Sequence, residues 1–272
     1  MQMHASQAQR DRVGAIFAEA DVARSYAARP PYAPALYDCL LRQVAGRARA
    51  LDLGCGPGTV AIVLADHFAE VTALDPSAPM LAEGRAADAR RHPNIRWVEG
   101  RAESFEDAAG FDLVTAGTSI HWPDHAALFP RLAEWTETLA VIGNADLYLP
   151  CGEAAGLEFL KRWLAIMAER TPGVRRQHDA AGFAAEADRH EAWMDIAGRE
   201  RFAHSHRQSL ADYIDGQHSA ATWSRAAMGP ALAAEFDRQL EALLAPFATG
   251  GMLELRYVST LTWGAPRRTP RG

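Results

Sequence analysis

LDLGCGPGT, Leu51–Thr59, decides the fold: an apolar run closes on glycines at 54, 56 and 58. Arg49, Ala50, Leu51 and Leu53 fit a short buried strand, and Val60, Ala61, Ile62, Val63, Leu64 and Ala65 read as the first turns of a helix packed on a sheet. Glycine suits the turn between them, because a residue without Cβ takes positive φ and lets a ligand lie against the main chain. Strand, glycine turn and helix in this order predict a nucleoside-cofactor site. The dinucleotide fingerprint GxGxxG would place its third small residue at Thr59, whereas the third glycine is Gly58. The pattern is DxGxGxG, with Asp52 as its acidic member, and its spacing weakens a nicotinamide reading.

Downstream, Val71 to Leu74 is a second apolar run ending in Asp75, before Pro76 and Ser77. In a parallel sheet the carboxyl ends of neighbouring strands lie side by side, so Asp75 is placed to accept both hydrogen bonds of a ribose diol. A third run, IRWVEGRAESF (Ile95–Phe105), ends as a strand near Val98 and continues into Gly100, Arg101, Ala102 and Glu103. A fourth, FDLVTAGTSIHW (Phe111–Trp122), opens into a loop after Thr115, Ala116 and Gly117. Strands are expected at Ala50–Leu53, Val71–Leu74, Arg96–Glu99, Leu113–Ala116 and Leu139–Asp146, and helices at Thr59–Phe68, Pro79–Arg90 and Asp124–Thr136. Asp124 after Pro123 suits a helix cap. Such alternation predicts an α/β fold with a doubly wound parallel sheet.

These motifs resemble those of class I S-adenosylmethionine-dependent methyltransferases, of the type found in ubiquinone and menaquinone C-methyltransferases and trans-aconitate-type carboxyl methyltransferases. The resemblance covers about Tyr26 to Leu149. It implies a Rossmann-like sheet of seven strands, the last antiparallel, with S-adenosyl-L-methionine as cofactor and S-adenosyl-L-homocysteine as product. It implies that Asp52, Gly54, Cys55, Gly56 and Gly58 run along the methionine and ribose, with Asp75, Pro76 and Met80 beside them. The adenine edge then falls to Arg101, Ala102 or Glu103, and the loop after Ala116 and Gly117 faces the transferred methyl. The run RSYAARPPY (Arg24–Tyr32) is similar to the YxxxRPxY segment of these proteins, which implies an N-terminal lid with Tyr26 and Arg29 at the methionine end. EWTETL (Glu134–Leu139) stands where the family has an LKPGG turn, a departure on the substrate side.

The domain organisation follows. Residues 1–45 read as a helical lid, including a helix from Gln7 to Ala20 and another over Pro34–Val44, and 46–150 as the cofactor core. Residues 151–200 read as an inserted helical cap. Residues 201–265 return to the core through a strand Phe202–Gln208, a helix from Leu210, a helix Pro230–Leu244 and a final strand Met252–Trp263, and 266–272 read as a frayed tail. Aromatic residues of the cap and loops, Tyr32, Trp122, Trp163, Trp193, Tyr213 and Trp223, either shape a substrate pocket or form the cap's own core.

Methyl transfer from a sulfonium is an in-line displacement in which alignment supplies most of the acceleration, so no catalytic triad is required. His121 is the candidate general base, or a residue lining the pocket. His121 and His125 are interrupted by Pro123, and His204 with His206 lack a third ligand, so no metal is expected. Pro30-Pro31-Tyr32 precedes the first strand and begins from Arg29, unlike the (N/D)PPY of amino-methylating enzymes, and Pro150-Cys151 sits past the fifth strand, where a cytosine-methylating nucleophile does not lie.

At a net charge of −6, with Arg267, Arg268 and Arg271 the only dense basic cluster, the chain lacks the basic face that nucleic-acid enzymes carry. No apolar run reaches the roughly 18 residues a membrane span needs. Three dispersed cysteines suggest neither a disulfide framework nor zinc. A cytoplasmic enzyme acting on a small, partly apolar methyl acceptor is the expectation. The alternatives are a non-methylating reaction on the same cofactor, a nicotinamide oxidoreductase, and a non-catalytic partner subunit.

Overall fold

The computed structural model describes residues 14–148, 150–170, 188–220 and 223–271. They fall into two compact units, one of residues 32–144, 184–202 and 259–272, the other of residues 1–31, 145–183 and 203–258.

The sheet is made of β1 (Arg49–Leu53), β2 (Glu70–Asp75), β3 (Ile95–Glu99), β4 (Leu113–Gly117), β5 (Leu139–Tyr148), β6 (Met194–Ser209) and β7 (Met252–Pro266), of which the first unit holds β1 to β4 with residues 139–144 of β5, 194–202 of β6 and 259–266 of β7. Its order is β3-β2-β1-β4-β5-β7-β6, with an antiparallel last strand. β1 pairs in parallel with β2 (Leu53 opposite Leu74) and with β4 (Asp52 opposite Thr115). The chain runs outward from β1 to β3 and then returns to β4 on the far side of β1. The carboxyl ends of β1 and β4 therefore flank a topological switch point, where open α/β sheets bind their ligands.

Strand alternation supplies two apolar faces. Ala50 packs on one, with Leu36 and Leu40 of α2 (Pro34–Arg42) and Leu64 of α3 (Ala61–Ala65). Leu51 and Leu53 face the other, with Leu128, Phe129 and Leu132 of α5 (His125–Trp135). Each of these buried leucine and phenylalanine side chains stabilises the unit by roughly 1.5–3 kcal/mol. Asp124 caps α5 as its sequence position predicts, accepting the Ala126 amide at 2.9 Å. α4 (Ala78–Asp88) follows β2 and is capped by Ser77, whose hydroxyl accepts from Met80 N at 3.2 Å.

The other unit holds α1 (Ala20–Tyr26), α6 (Glu153–Arg170), α7 (Leu210–Gln217), α8 (Arg225–Met228) and α9 (Pro230–Leu244), with residues 203–209 of β6 and 252–258 of β7. Trp163, Trp223, Phe236, Leu240, Leu253 and Leu255 form its core. Its polar counterpart is Asp237, which takes His218 at 2.6 Å and Arg225 at 3.1 Å.

Several boundaries differ from the sequence reading. α3 starts at Ala61 rather than Thr59, because the glycine turn continues through Val60. β6 begins at Met194, inside the stretch read as helical cap, and its alternating exposed residues carry no continuous apolar signal. Of the expected helix Gln7–Ala20, residues before 14 lie outside the described residues, and Ala15–Ala18 form a single 3-10 turn. The tail is not frayed: Arg267 and Arg271 both reach Asp195 Oδ1 at 2.8 Å, and Arg268 reaches Glu134 at 2.9 Å.

Candidate active site

The three glycines after β1 all have positive φ, +61° at Gly54, +53° at Gly56 and +79° at Gly58. A side chain at two of them would strike the protein itself. A Cβ on Gly54 would lie 2.6 Å from Ser119 Cβ, and one on Gly58 would lie 2.4 Å from Trp97 Cη2. The turn is fastened internally by Gly58 N–H to Cys55 C=O and by Ile62 N–H to Gly58 C=O, each 2.9 Å, and externally by Cys55 N–H to Leu74 C=O at 3.0 Å. Cys55 is buried, and burial pushes its thiol well above the usual value, so it is an inert filler of the turn.

Two carboxylates hold this loop. Asp75 accepts Gly56 N–H on Oδ2 and Ser77 N–H on Oδ1, both at 2.8 Å, and so joins the glycine turn to the start of α4. Burial raises its pKa, against the lowering effect of the two amides. Asp52 is deeper: it accepts Thr115 Oγ1–H at 2.8 Å and Ala61 N–H at 3.1 Å, fixing the first turn of α3 to β4. Burial pushes it up to about 7, with the two hydrogen bonds opposing and the charge of Asp75 adding to the rise. The two Asp75 oxygens each keep a second lone pair for a ligand hydroxyl, whereas Asp52 is enclosed, at 1% exposure, and serves the turn alone.

After β3, Ala102 is buried against Leu74 and Val98. Glu103 accepts from Arg101 at 3.3 Å and from the Asp124 amide at 3.1 Å, tying this segment to the start of α5. Pro76 precedes the α4 cap, and Met80 is buried one turn into that helix.

After β4, Ala116 is buried and Gly117 ends the strand, with a Cβ position 3.3 Å from the Tyr32 hydroxyl. Thr118 follows in the left-handed region at φ +54°, an uncommon place for a β-branched residue. Its amide donates to Ile142 C=O, and its hydroxyl shares a hydrogen bond with Tyr32 OH, both at 2.8 Å. Thr118 and Ser119 are the residues of this loop that sequence reasoning missed; no residue-type signal marks a left-handed threonine. His121 stands in this loop with its ring 4.7 Å from that of Trp122, and both are half-buried. His125 is structural: its buried Nε2–H donates to Ile120 C=O at 2.7 Å.

The remaining predicted residues lie in the other unit. Arg29 stacks over Tyr26 at 3.9 Å and donates to Ser219 Oγ at 2.7 Å. Trp163 is fully buried, edge-on to Phe236 at 5.0 Å, and Trp223 stacks on Phe236 at 5.5 Å. Their rings pack in that unit's own core, the second of the two readings that the sequence left open, so their assignment as substrate-lining residues is corrected for these two.

The methyltransferase domain family matches residues 50–141, the span from β1 into β5 that carries this loop system. Residues 50–141 are a class I methyltransferase domain. A trans-aconitate 2-methyltransferase of Streptomyces coelicolor is 35% identical over 140 residues, covering 48% of this chain and 45% of the relative. One from Escherichia coli is 36% identical over 94 residues, 34% of this chain and 36% of the relative. The chain thus matches less than half the length of these curated relatives. The solved structure of a candidate type II methyltransferase from Anaeromyxobacter dehalogenans aligns with 89% of this chain and 99% of its own, at a TM-score of 0.65 and 19% identity, a likeness of fold. The cofactor of a class I methyltransferase domain is S-adenosylmethionine. The residues fit it: the glycine turn lies beside Asp75, whose unused lone pairs match the hydroxyls of a ribose. Among the described residues no helix is long and apolar enough to cross a membrane.

Proposed function

We propose that this protein transfers a methyl group from S-adenosylmethionine to a small organic acceptor. The observation that carries this reading is the switch-point loop system, in which Asp75 joins the glycine turn to α4 and β4 opens directly opposite. Gly54, Gly56 and Asp75 hold the ribose and methionine side, with Asp52 and Cys55 as the buried support of the turn. Arg101, Ala102 and Glu103 form the adenine edge. When bound, the cofactor supplies a methyl group already activated on a sulfonium, so the protein's task is alignment and exclusion of water. Tyr32, Thr118, His121 and Trp122 face the acceptor, and His121 takes its proton where the acceptor carries one.

Acids are the first acceptors to test, because the curated relatives are trans-aconitate 2-methyltransferases. Their matches span 48% and 34% of this chain, so the acceptor is left to experiment. Calorimetric titration with S-adenosylmethionine, S-adenosylhomocysteine and NADH, followed by a mass-spectrometric acceptor screen that starts from trans-aconitate, tests the reading. Micromolar binding of the first two ligands and a product heavier by one CH2 are expected. Binding of NADH alone would overturn it.

A further inference from the structure

Trp97 sits on β3 opposite Ala73, half-buried, on the sheet face that packs against α2 and α3. The far edge of its indole lies between two glycines from different elements. A Cβ on Gly58, in the cofactor turn, would be 2.4 Å from Cη2 and 3.0 Å from Cζ3. A Cβ on Gly84, in α4, would be 2.5 Å from Cζ3, 2.7 Å from Cη2 and 3.1 Å from the Pro57 carbonyl carbon. Three of these approaches, at 2.4, 2.5 and 2.7 Å, are closer than real Cβ atoms come, and the other two are tight. The indole rim is rigid, and both glycines are held by regular backbone hydrogen bonds, so neither side yields cheaply.

From this geometry we infer that Trp97 is a positioning residue for the cofactor turn. Its indole is a wedge that sets the distance between Gly58 and α4, and the third glycine of the motif is required by this ring and by its own positive φ rather than by the cofactor. Asp75 joins the same two elements by hydrogen bonds to Gly56 and Ser77, so a polar tie and an apolar stop act together on one loop. Trp97 touches the loop and not the reacting atoms. Its effect should appear in cofactor affinity and in its coupling to residue 58. The inference rests on the cofactor reading proposed above.

The test is a double-mutant cycle on the full chain with Gly58→Ala, Trp97→Leu and the combination, reading S-adenosylhomocysteine Kd by calorimetry and unfolding midpoints without ligand. In the wild-type background Gly58→Ala combines a left-handed alanine with a clash, and Kd should rise about 30-fold or more. With Trp97→Leu the clash is gone and only the backbone penalty remains, so the same change should raise Kd about fivefold. Trp97→Leu alone should raise Kd several-fold, because the turn loses its stop. Where Trp97→Leu does not fold, Trp97→Phe takes its place in the cycle. Equal Gly58→Ala losses in both backgrounds, or unchanged Kd in the Trp97 variants, overturn the inference. A wild-type protein that binds no S-adenosylhomocysteine overturns the methyltransferase reading instead. Unfolding midpoints then decide the wedge, which strict additivity would refute and non-additivity would support.

Discussion

His92 ties together the two helices on either side of β2, and its removal has a calculable cost with a pH signature. Its Nδ1 meets Asp88 Oδ1 at 2.6 Å at the end of α4, and its Nε2 meets Asp66 Oδ1 at 3.0 Å just past α3. The His92–Asp88 pair is buried, with side chains 8% and 4% exposed, and a charge-assisted bond in such a place contributes about 1.5–3 kcal/mol. Asp66 is 63% exposed, so its share is at most about 0.5–1 kcal/mol. Glutamine in place of His92 retains one neutral hydrogen bond, which leaves a net loss of about 2 kcal/mol at pH 6, or roughly 4–8 °C in Tm for a chain of this size. The hydrogen bonds to Asp88 and then Asp66 raise the His92 pKa above its ordinary 6.5. A histidine with a raised folded pKa contributes fully below the unfolded value and loses that contribution as pH climbs through the folded one. Thermal unfolding of wild type and His92→Gln from pH 5.5 to 9 should therefore show a gap that is widest near pH 6 and narrows towards pH 9. A gap that is constant, or widens with pH, would refute the assignment.

Three further outcomes are expected. Asp75→Ala should weaken S-adenosylhomocysteine more than tenfold, and less for an analogue lacking both ribose hydroxyls; equal weakening of the two ligands would confine Asp75 to holding the loop. His121→Gln should lower turnover about 100-fold with the acceptor returned by the mass screen, at unchanged S-adenosylhomocysteine affinity, whereas full activity would leave it lining the pocket. Trp163→Leu should cost about 2–4 kcal/mol of stability by opening the core around Phe236, leaving cofactor Kd within twofold; a normal Tm would contradict its place in that core.

What the sequence reveals depends on whether one segment suffices to determine the feature. β1, β2 and β4 are readable because strands buried on both faces appear as short, mostly apolar runs, and Asp124 because a cap acts within its own helix. β6 alternates polar and half-buried residues from Met194 onward and gives no such run. Arg267 and Arg271 looked like a loose tail because their partner, Asp195, is distant in sequence. The aromatic residues were ambiguous for a deeper reason: tryptophan contributes the same apolar surface to a pocket wall and to a core. Only the faces of Phe236 against Trp163 and Trp223 decide between them.

The glycine turn carries this argument furthest. Its spacing identified the class of site, yet the pattern does not say what each glycine is for. Gly54 leaves room for Ser119 and Gly58 for Trp97, two residues that arrive from β4 and β3 and are remote in sequence. The turn is therefore shaped by its neighbours before any ligand arrives, and preorganisation of this kind spares the cofactor the cost of ordering a flexible loop. A substitution at Gly54 or Gly58 that weakens binding would by that fact alone reveal nothing about contact with the cofactor. The loss has to be measured again with Ser119 or Trp97 trimmed, and only the part that survives the trimming can belong to the ligand or to the backbone itself.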